Sequence, residues 1–145
     1  MRIFLLYGFL TALALAVWTL LLHALGRDAA VQVSTDPIDY LSLLMAPVFI
    51  YAGLRARARG RALPFRTALG TGLGISAVAA VLTVFFLACY YSYVSPAALL
   101  YASRGYGLTD ASFNQQLLTE LGVQLLSVLL AGLLWTLAIG RLIRR

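Results

Sequence analysis

Few side chains in this sequence can act as acids, bases or nucleophiles. Its 145 residues hold one histidine, one cysteine and five acids, namely His23, Cys89, Asp28, Asp36, Asp39, Asp110 and Glu120. No serine is spaced with a base in a nucleophile motif, no two acids pair on one intramembrane face, and no HExxH zinc motif occurs. We therefore predict that the protein is not an enzyme and has no catalytic residue, metal site or cofactor.

His23 is the one candidate for a proton-sensitive or metal-binding group. It could meet Asp28, Asp36 or Asp39 in a cluster that responds to pH or binds a metal weakly. One histidine with acids at irregular spacing is a poor zinc signature, so an interfacial histidine without a special role is favoured. The lone Cys89 excludes an intramolecular disulfide and a cysteine metal cluster.

A glycine-rich run from Gly70 to Gly74 has a superficial likeness to a nucleotide-binding loop. No strand precedes it and the Lys-Ser/Thr pair of a phosphate loop is missing, so nucleotide binding is excluded. On a helix, small residues four positions apart share a face and let two backbones approach closely in lipid. We predict helix packing at Gly70, Gly72, Gly74 and Ser76. Packing inside one bundle is favoured over homodimerisation.

The densest charge feature is a row of arginines at alternate positions: Arg55, Arg57, Arg59 and Arg61. Basic loops fix the orientation of membrane proteins. Each arginine near a surface also contributes about 1 kcal/mol of attraction to an anionic leaflet. The two interpretations are compatible, and we predict that these four residues contact anionic lipid or an acidic partner.

The composition indicates a membrane protein. Hydrophobic residues make up 62% of the chain and charged residues 11%, against about 45–50% and about 25% in soluble domains. The composition therefore argues against a soluble enzyme, a disordered tail and a disulfide scaffold. A net charge of +6 is better explained by basic loops than by nucleic acid, so no nucleic-acid partner is expected.

Four apolar stretches predict an all-α, four-helix bundle that spans the membrane. A spanning helix needs about 20 mostly apolar residues. We predict spans over about 3–25, 37–57, 67–93 and 119–140, all within one domain of residues 1–145. Asp36 and Pro37 give the second span a start signal. The helix of the fourth span is predicted to begin earlier, with Thr109 or Asp110 as its cap.

The arginines decide the predicted orientation. Four spans place nine arginines on one side of the membrane, namely Arg2, Arg55, Arg57, Arg59, Arg61, Arg66, Arg141, Arg144 and Arg145. Only Arg27 and Arg104 fall on the other side, together with all five acids. Because cytoplasmic loops carry the excess of basic residues, both termini are predicted to be cytoplasmic, with the chain in a bacterial inner membrane.

The predicted outer side has one sizeable loop, over about 95–119. Pro96 to Tyr101 predicts a short helix at the membrane surface, ended by the Gly105-Tyr106-Gly107 run. Tyrosines gather at the same boundary, where an aromatic belt is favoured over a ligand cage. These are Tyr40, Tyr90, Tyr91, Tyr93, Tyr101 and Tyr106.

Three segments resemble the family of domains of unknown function DUF4199, small four-span bacterial membrane proteins. The longest is Gly60-Arg61-Ala62-Leu63-Pro64-Phe65-Arg66-Thr67-Ala68-Leu69-Gly70-Thr71-Gly72. Like the family, it has a glycine, a phenylalanine about five residues later, and then a small residue and a further glycine. The others are Tyr91-x-Tyr93-x-x-Pro96 and Tyr7-Gly8. The inner loop departs from the family in being purely arginine, and the outer loop in being shorter. The resemblance implies four spans and an inner-membrane location, and it implies no activity.

Two functions follow as hypotheses. The first is a non-enzymatic accessory or membrane-organising protein that acts through helix and lipid contacts, alone, as a homo-oligomer or with a membrane protein partner. It rests on the small-residue faces and the arginine loop, and on the lack of charge at the centre of any predicted span. The alternative is a small oligomeric transporter or channel for an uncharged solute, which needs no buried charge.

Overall fold

The protein is α-helical in the residues that a computed structural model describes, which are 2–27, 41–58, 63–108 and 110–142. Its helices are α1 (Arg2–Ala24), α2 (Leu41–Ala58), α3 (Phe65–Cys89), α4 (Pro96–Arg104) and α5 (Phe113–Leu142). A π-helical turn, Tyr90–Val94, follows α3 directly. The prediction of an all-α fold is confirmed.

Within the described residues, three helical segments are long and apolar enough to cross a membrane: Arg2–Ala24, Phe65–Val94 and Phe113–Arg141. They overlap the predicted spans over 3–25, 67–93 and 119–140. The predicted span over 37–57 is represented by the 18-residue α2, which carries Arg55 and Arg57 in its last turn and is not among the three. Its predicted start signal, Asp36 and Pro37, lies outside the described residues.

Helices α1 and α3 lie side by side and run in the same direction. Near their starts, Gly74 of α3 faces the ring of Phe4 in α1. One turn further along α1, Gly8 lies against Val78 of α3, so closely that an added Cβ would be 2.6 Å from the Val78 Cβ. Since two parallel helices need a return segment between them, α2 must run back along the pair. Its Gly53, near the C-terminal end, indeed packs beside the ring of Tyr7.

Two clusters of buried side chains define the ends of the molecule. The first, which we call the arginine end, joins the starts of α1 and α3 to the ends of α2 and α5. It holds the buried residues Ile50, Leu54, Ala68 and Ile75 with the partly buried Phe4, Tyr7, Leu63 and Ile139. The second, the tyrosine end, joins the end of α3 to α4 and the start of α5, through Leu87, Tyr90, Tyr91, Ala98 and Leu99 with Phe86, Leu117 and Leu121. The first residues of α1 and the last of α5 therefore lie at the same end.

Helix α5 begins at Phe113 and not where the sequence predicts its cap. Asp110 is in a turn, and Thr109 lies outside the described residues. The cap is Ser112, whose hydroxyl accepts a hydrogen bond from the Gln115 amide at 3.4 Å, while the Gln115 side chain accepts one from the Ser112 amide at 3.2 Å. The prediction of Thr109 or Asp110 is wrong because this reciprocal capping box satisfies two free N–H groups at once.

The short helix predicted after Pro96 is confirmed as α4, and it covers the tyrosine end. One of its faces is buried, through Ala98, Leu99 and Ser103. Gly107 then turns the chain with a φ of 69°, in the region where glycine has no Cβ penalty. The buried Gln116 of α5 secures this turn, since its side-chain amide donates to the carbonyl of Leu108 at 2.9 Å and to that of Ala111 at 3.1 Å.

Candidate functional site

The α3–α5 contact is made by small residues from both helices. A Cβ at Gly72 would lie 2.7 Å from the Cβ of Thr136 and closer still to its hydroxyl and methyl groups. A Cβ at Gly132 would collide in the same way with the side chain of Ser76. Residues 72 and 76 thus meet 136 and 132 in reverse order, so α3 and α5 are antiparallel. Both hydroxyls donate to carbonyls of their own helix, Ser76 to Gly72 at 2.9 Å and Thr136 to Gly132 at 2.6 Å, so close contact leaves no unpaired donor.

The other two predicted packing glycines differ in position. A Cβ at Gly74 would lie 3.1 Å from the ring of Phe4, so this glycine serves the α1–α3 contact. Gly70 is exposed, and a Cβ there would meet nothing within 4 Å. The chain therefore brings Gly72, Gly74 and Ser76 into contacts between its own helices, and it leaves Gly70 on the outer surface of α3.

The structure describes two of the four arginines in the predicted row. Arg55 and Arg57 are exposed in the last turn of α2, and the Arg57 guanidinium lies over the Phe4 ring at 5.3 Å from its centroid. Such a cation–π contact holds the charge against the start of α1. Arg59 and Arg61 lie outside the described residues. Three further exposed arginines share the arginine end: Arg2, Arg66 and Arg141.

Beside Arg2, an apolar groove runs along the outer surface between α1 and α3. Its volume is about 880 Å³, and Arg2 is the one charged residue among the described residues that line it. Large side chains on both walls are exposed, with Phe9 53% and Val81 63% accessible. The remaining lining residues are Leu5, Leu6, Ala77, Val78 and Leu82. At membrane depth, such a groove faces lipid chains or another helix.

A second cavity, of about 430 Å³, lies inside the helices towards the tyrosine end. Helices α1, α3, α4 and α5 and one residue of α2 line it. Each long helix contributes one face, as the spacing of three and four residues requires. The faces are Leu15, Trp18, Thr19 and Leu22 of α1; Thr83, Phe86, Leu87 and Tyr90 of α3 and its π turn; and Glu120, Gln124, Val128 and Ala131 of α5.

Three residues that line this cavity each have a buried polar atom without a hydrogen-bond partner among the described residues. These atoms are Nε1 of Trp18, Oγ1 of Thr83 and Oε2 of Glu120. Glu120 is 2% exposed, and its other oxygen, Oε1, accepts a hydrogen bond from Gln124 Nε2 at 3.0 Å. Buried polar groups are nearly always paired, so three unpaired groups on one cavity mark it as the candidate functional site.

Aromatic side chains line the cavity at the tyrosine end. Tyr90 and Tyr91 are 3% and 8% exposed, so the belt interpretation is wrong for these two. They continue the buried face of α3, three and four residues after the buried Leu87. Tyr93, by contrast, is 86% exposed. The Tyr90 hydroxyl lies 3.3 Å from Nδ1 of His23, and the two rings meet edge to face.

Tyr106 lies above the cavity, in the turn between α4 and α5. Its pKa is raised above the ordinary value, first by burial of part of the phenol and then by the Glu120 carboxylate, towards which its hydroxyl reaches. A hydrogen bond with the Glu120 side chain adds to this rise, so Tyr106 is a direct neighbour of Glu120. The Oε2 atom of Glu120 has no partner within hydrogen-bonding geometry in the described part of the chain.

The acids predicted as possible neighbours of His23, namely Asp28, Asp36 and Asp39, lie outside the described residues. Within residues 2–27, 41–58, 63–108 and 110–142, no three histidine, cysteine or acidic side chains are grouped closely enough to hold a metal.

The sequence reasoning missed Glu120 as a site residue, together with Trp18 and Thr83. Glu120 was assigned to the outer start of a span, where a carboxylate is ordinarily solvated. A signal was present, because Glu120 and Gln124 are four residues apart and so share a face of α5, which points inward. The positions of Trp18 and Thr83 depend on how α1 and α3 pack, and nothing in their local sequence marks them.

A comparison with protein families supports the resemblance noted from the sequence. The family model for DUF4199, described as a protein of unknown function, matches residues 6–145. Neither the curated proteins nor the solved structures include a match to the chain.

Proposed function

Because the chain belongs to the DUF4199 family of proteins of unknown function, we propose its role from its own surfaces: it is a non-enzymatic membrane protein that acts through contacts with lipids and neighbouring helices. The observation that carries this proposal is the groove between α1 and α3, which is apolar along its length and has Arg2 at one end. A phospholipid has the complementary shape, with an apolar chain below an anionic headgroup.

We infer that α2 crosses the membrane as a fourth span, giving a four-helix bundle. The parallel course of α1 and α3 supports this, because the chain must return to the arginine end between them. Arg55 and Arg57 in its last turn sit where a spanning helix carries its flanking charges. With four spans, the positive-inside rule places the arginine end and both termini in the cytoplasm of a bacterium, at its inner membrane.

The arginine end extends the proposed lipid contact beyond the groove. Arg2, Arg55, Arg57, Arg66 and Arg141 are all exposed there, and each adds about 1 kcal/mol of attraction to an anionic leaflet. The lipid we propose is therefore an anionic phospholipid, with its headgroup at Arg2 and a chain along Leu5, Phe9 and Val81. The exposed Gly70 leaves α3 able to approach a partner helix or a second copy of this chain.

Replacing Arg2 with glutamine is expected to weaken this lipid preference. The loss of about 1 kcal/mol corresponds to about fivefold less preference for anionic lipid. The measurement is the rise in thermal unfolding midpoint when phosphatidylglycerol, and separately phosphatidylcholine, is added to the purified protein in detergent.

Arg104→Gln is the matched control for this experiment, because Arg104 is also exposed but lies at the tyrosine end, over the Tyr101 ring at 5.0 Å. It should leave the preference for phosphatidylglycerol unchanged. Equal losses in the two variants would show that the effect is one of net charge, and would contradict a lipid position at Arg2.

A second candidate function is a small oligomeric transporter or channel for an uncharged solute. The internal cavity of about 430 Å³ favours it, together with Pro47 inside α2, which removes a helical hydrogen bond and can serve as a hinge. Solute flux into proteoliposomes that Pro47→Ala abolishes, and that Pro64→Ala leaves intact, would support this candidate. An absence of flux for a panel of small polyols and amides would count against it.

A further inference from the structure

The internal cavity combines a buried acceptor, a buried donor and an apolar wall. Glu120 Oε2 has lone pairs without a donor, Trp18 Nε1 has a proton without an acceptor, and Thr83 Oγ1 can do either. All three residues line the same space. One molecule inside the cavity would satisfy all three groups at once.

Keeping these groups unpaired is costly to the folded protein. A buried polar group without a partner costs free energy, and a buried carboxylate costs more than a neutral group. The cost is highest in a membrane, where ionisable residues are retained at sites that bind substrates, ions or protons. Gln124 donates one hydrogen bond to Glu120 Oε1, which orients the carboxylate and leaves Oε2 without a donor.

We propose that the cavity is a binding site for a small organic amine with an apolar body, whose protonated nitrogen donates a hydrogen bond to Glu120 Oε2. A cation is the group that a buried carboxylate binds best, because charge-assisted hydrogen bonds are about twice as strong as neutral ones. An acceptor elsewhere on the same molecule would satisfy Trp18 Nε1. This inference goes beyond the proposed lipid contact and does not depend on it.

The walls fit such a ligand in size and character. The volume of about 430 Å³ is within the range of small-molecule sites, roughly 300–1,000 Å³. Leu15, Leu22, Leu87 and Val128 provide apolar surface for the ligand body. Trp18, Phe86, Tyr90, Tyr91 and Tyr101 add aromatic rings on several sides, and ring faces attract organic cations.

The site can be tested with matched probes on the purified full chain in lipid nanodiscs. Benzylamine, phenethylamine and 4-phenylbutylamine are the cationic probes, and the alcohols of the same carbon skeletons are the neutral ones. Trp18 reports on binding through its fluorescence once the second tryptophan is removed by Trp135→Phe. Empty nanodiscs correct for partition of the probes into lipid.

At least one amine should give a saturable change, with higher affinity than its alcohol. Glu120→Gln should lower the affinity for that amine by about tenfold or more, since hydrogen bonds to charged groups contribute roughly 1.5–3 kcal/mol. Its affinity for the alcohol should change much less. Asp110→Asn is the matched control, an exposed acid outside the cavity, and it should leave both affinities unchanged.

A second variant keeps the proposal open to refutation if Glu120→Gln does not fold. Ala131→Phe fills the cavity from α5 without altering Glu120, and it should abolish binding of amines and alcohols alike. Circular dichroism and size-exclusion profiles identify the folded variants. Saturable amine binding that survives in folded Ala131→Phe would overturn the proposal. It would equally be overturned by equal affinities for amines and alcohols, by no binding of any amine, or by unchanged amine binding in folded Glu120→Gln.

Discussion

The Gly72→Leu variant is expected to unfold at a midpoint about 10 °C below that of the unmodified protein. Its side chain would have to enter the space of Thr136, which is 1% exposed and branched at Cβ, so no change of rotamer provides room. Overpacking of this kind costs roughly 3 kcal/mol, and a chain of this length loses a few degrees for each kcal/mol. The measurement is thermal unfolding in detergent, followed by circular dichroism.

Gly70→Leu is the control for this variant, two residues away on the same helix. A Cβ at Gly70 meets nothing within 4 Å, so the leucine faces lipid and the midpoint should be unchanged or slightly higher. If Gly70→Leu lowered the midpoint as much as Gly72→Leu, or reduced the oligomer size, the outer face of α3 would be packed against a second copy. Homodimerisation through Gly70 would then replace packing within one chain.

Gly8→Ala is expected to destabilise the protein by about 2 kcal/mol, although alanine is the better helix former. The added methyl would lie 2.6 Å from the Val78 Cβ and 2.9 Å from the Ile75 carbonyl oxygen. Neither atom can move without its backbone, so α1 must separate from α3. The mole fraction of SDS at half-unfolding, monitored by tryptophan fluorescence, measures the loss.

The same substitution at Gly122 should have the opposite effect on stability. Gly122 lies within α5, where a Cβ would meet nothing within 4 Å, so Gly122→Ala should stabilise the protein by up to about 1 kcal/mol through helix propensity alone. Stabilisation by both substitutions would mean that α1 and α3 are not in backbone contact. The groove and the cavity, both lined by these two helices, would then have a different shape.

Helix extents could be read from the sequence where apolar length and charge bound them. The prediction of 3–25 agrees with α1, Arg2–Ala24, because Arg2 and Arg27 flank a mostly apolar run without a formal charge. The start of α5 was misplaced, since Thr109, Asp110 and Ser112 are all acceptable caps. Only the reciprocal bond with Gln115 selects Ser112. The local sequence thus predicts that a helix is present better than it predicts the residue at which the helix begins.

It was harder to predict which face of each helix points towards the other helices. Helix α3 has apolar residues on every side. The spacing of four residues places Gly70 and Gly74 on one face, but it does not tell whether that face points inward. The structure buries Gly72 and exposes Gly70. Glu120 illustrates the same limit, because its position near a helix start indicates solvent, whereas it is 2% exposed and lines a cavity with residues of α1, α3 and α4. Burial in this protein depends on contacts between helices far apart in sequence.

The most direct test of the proposed function is to extract the protein from its own membrane into polymer-bounded nanodiscs and identify by mass spectrometry what accompanies it. Action through lipid and helix contacts predicts anionic phospholipid enriched over the bulk membrane, with the enrichment reduced about fivefold in Arg2→Gln. A stoichiometric membrane protein would support the accessory role. A lipid composition equal to that of the bulk membrane, with no accompanying protein, would contradict it.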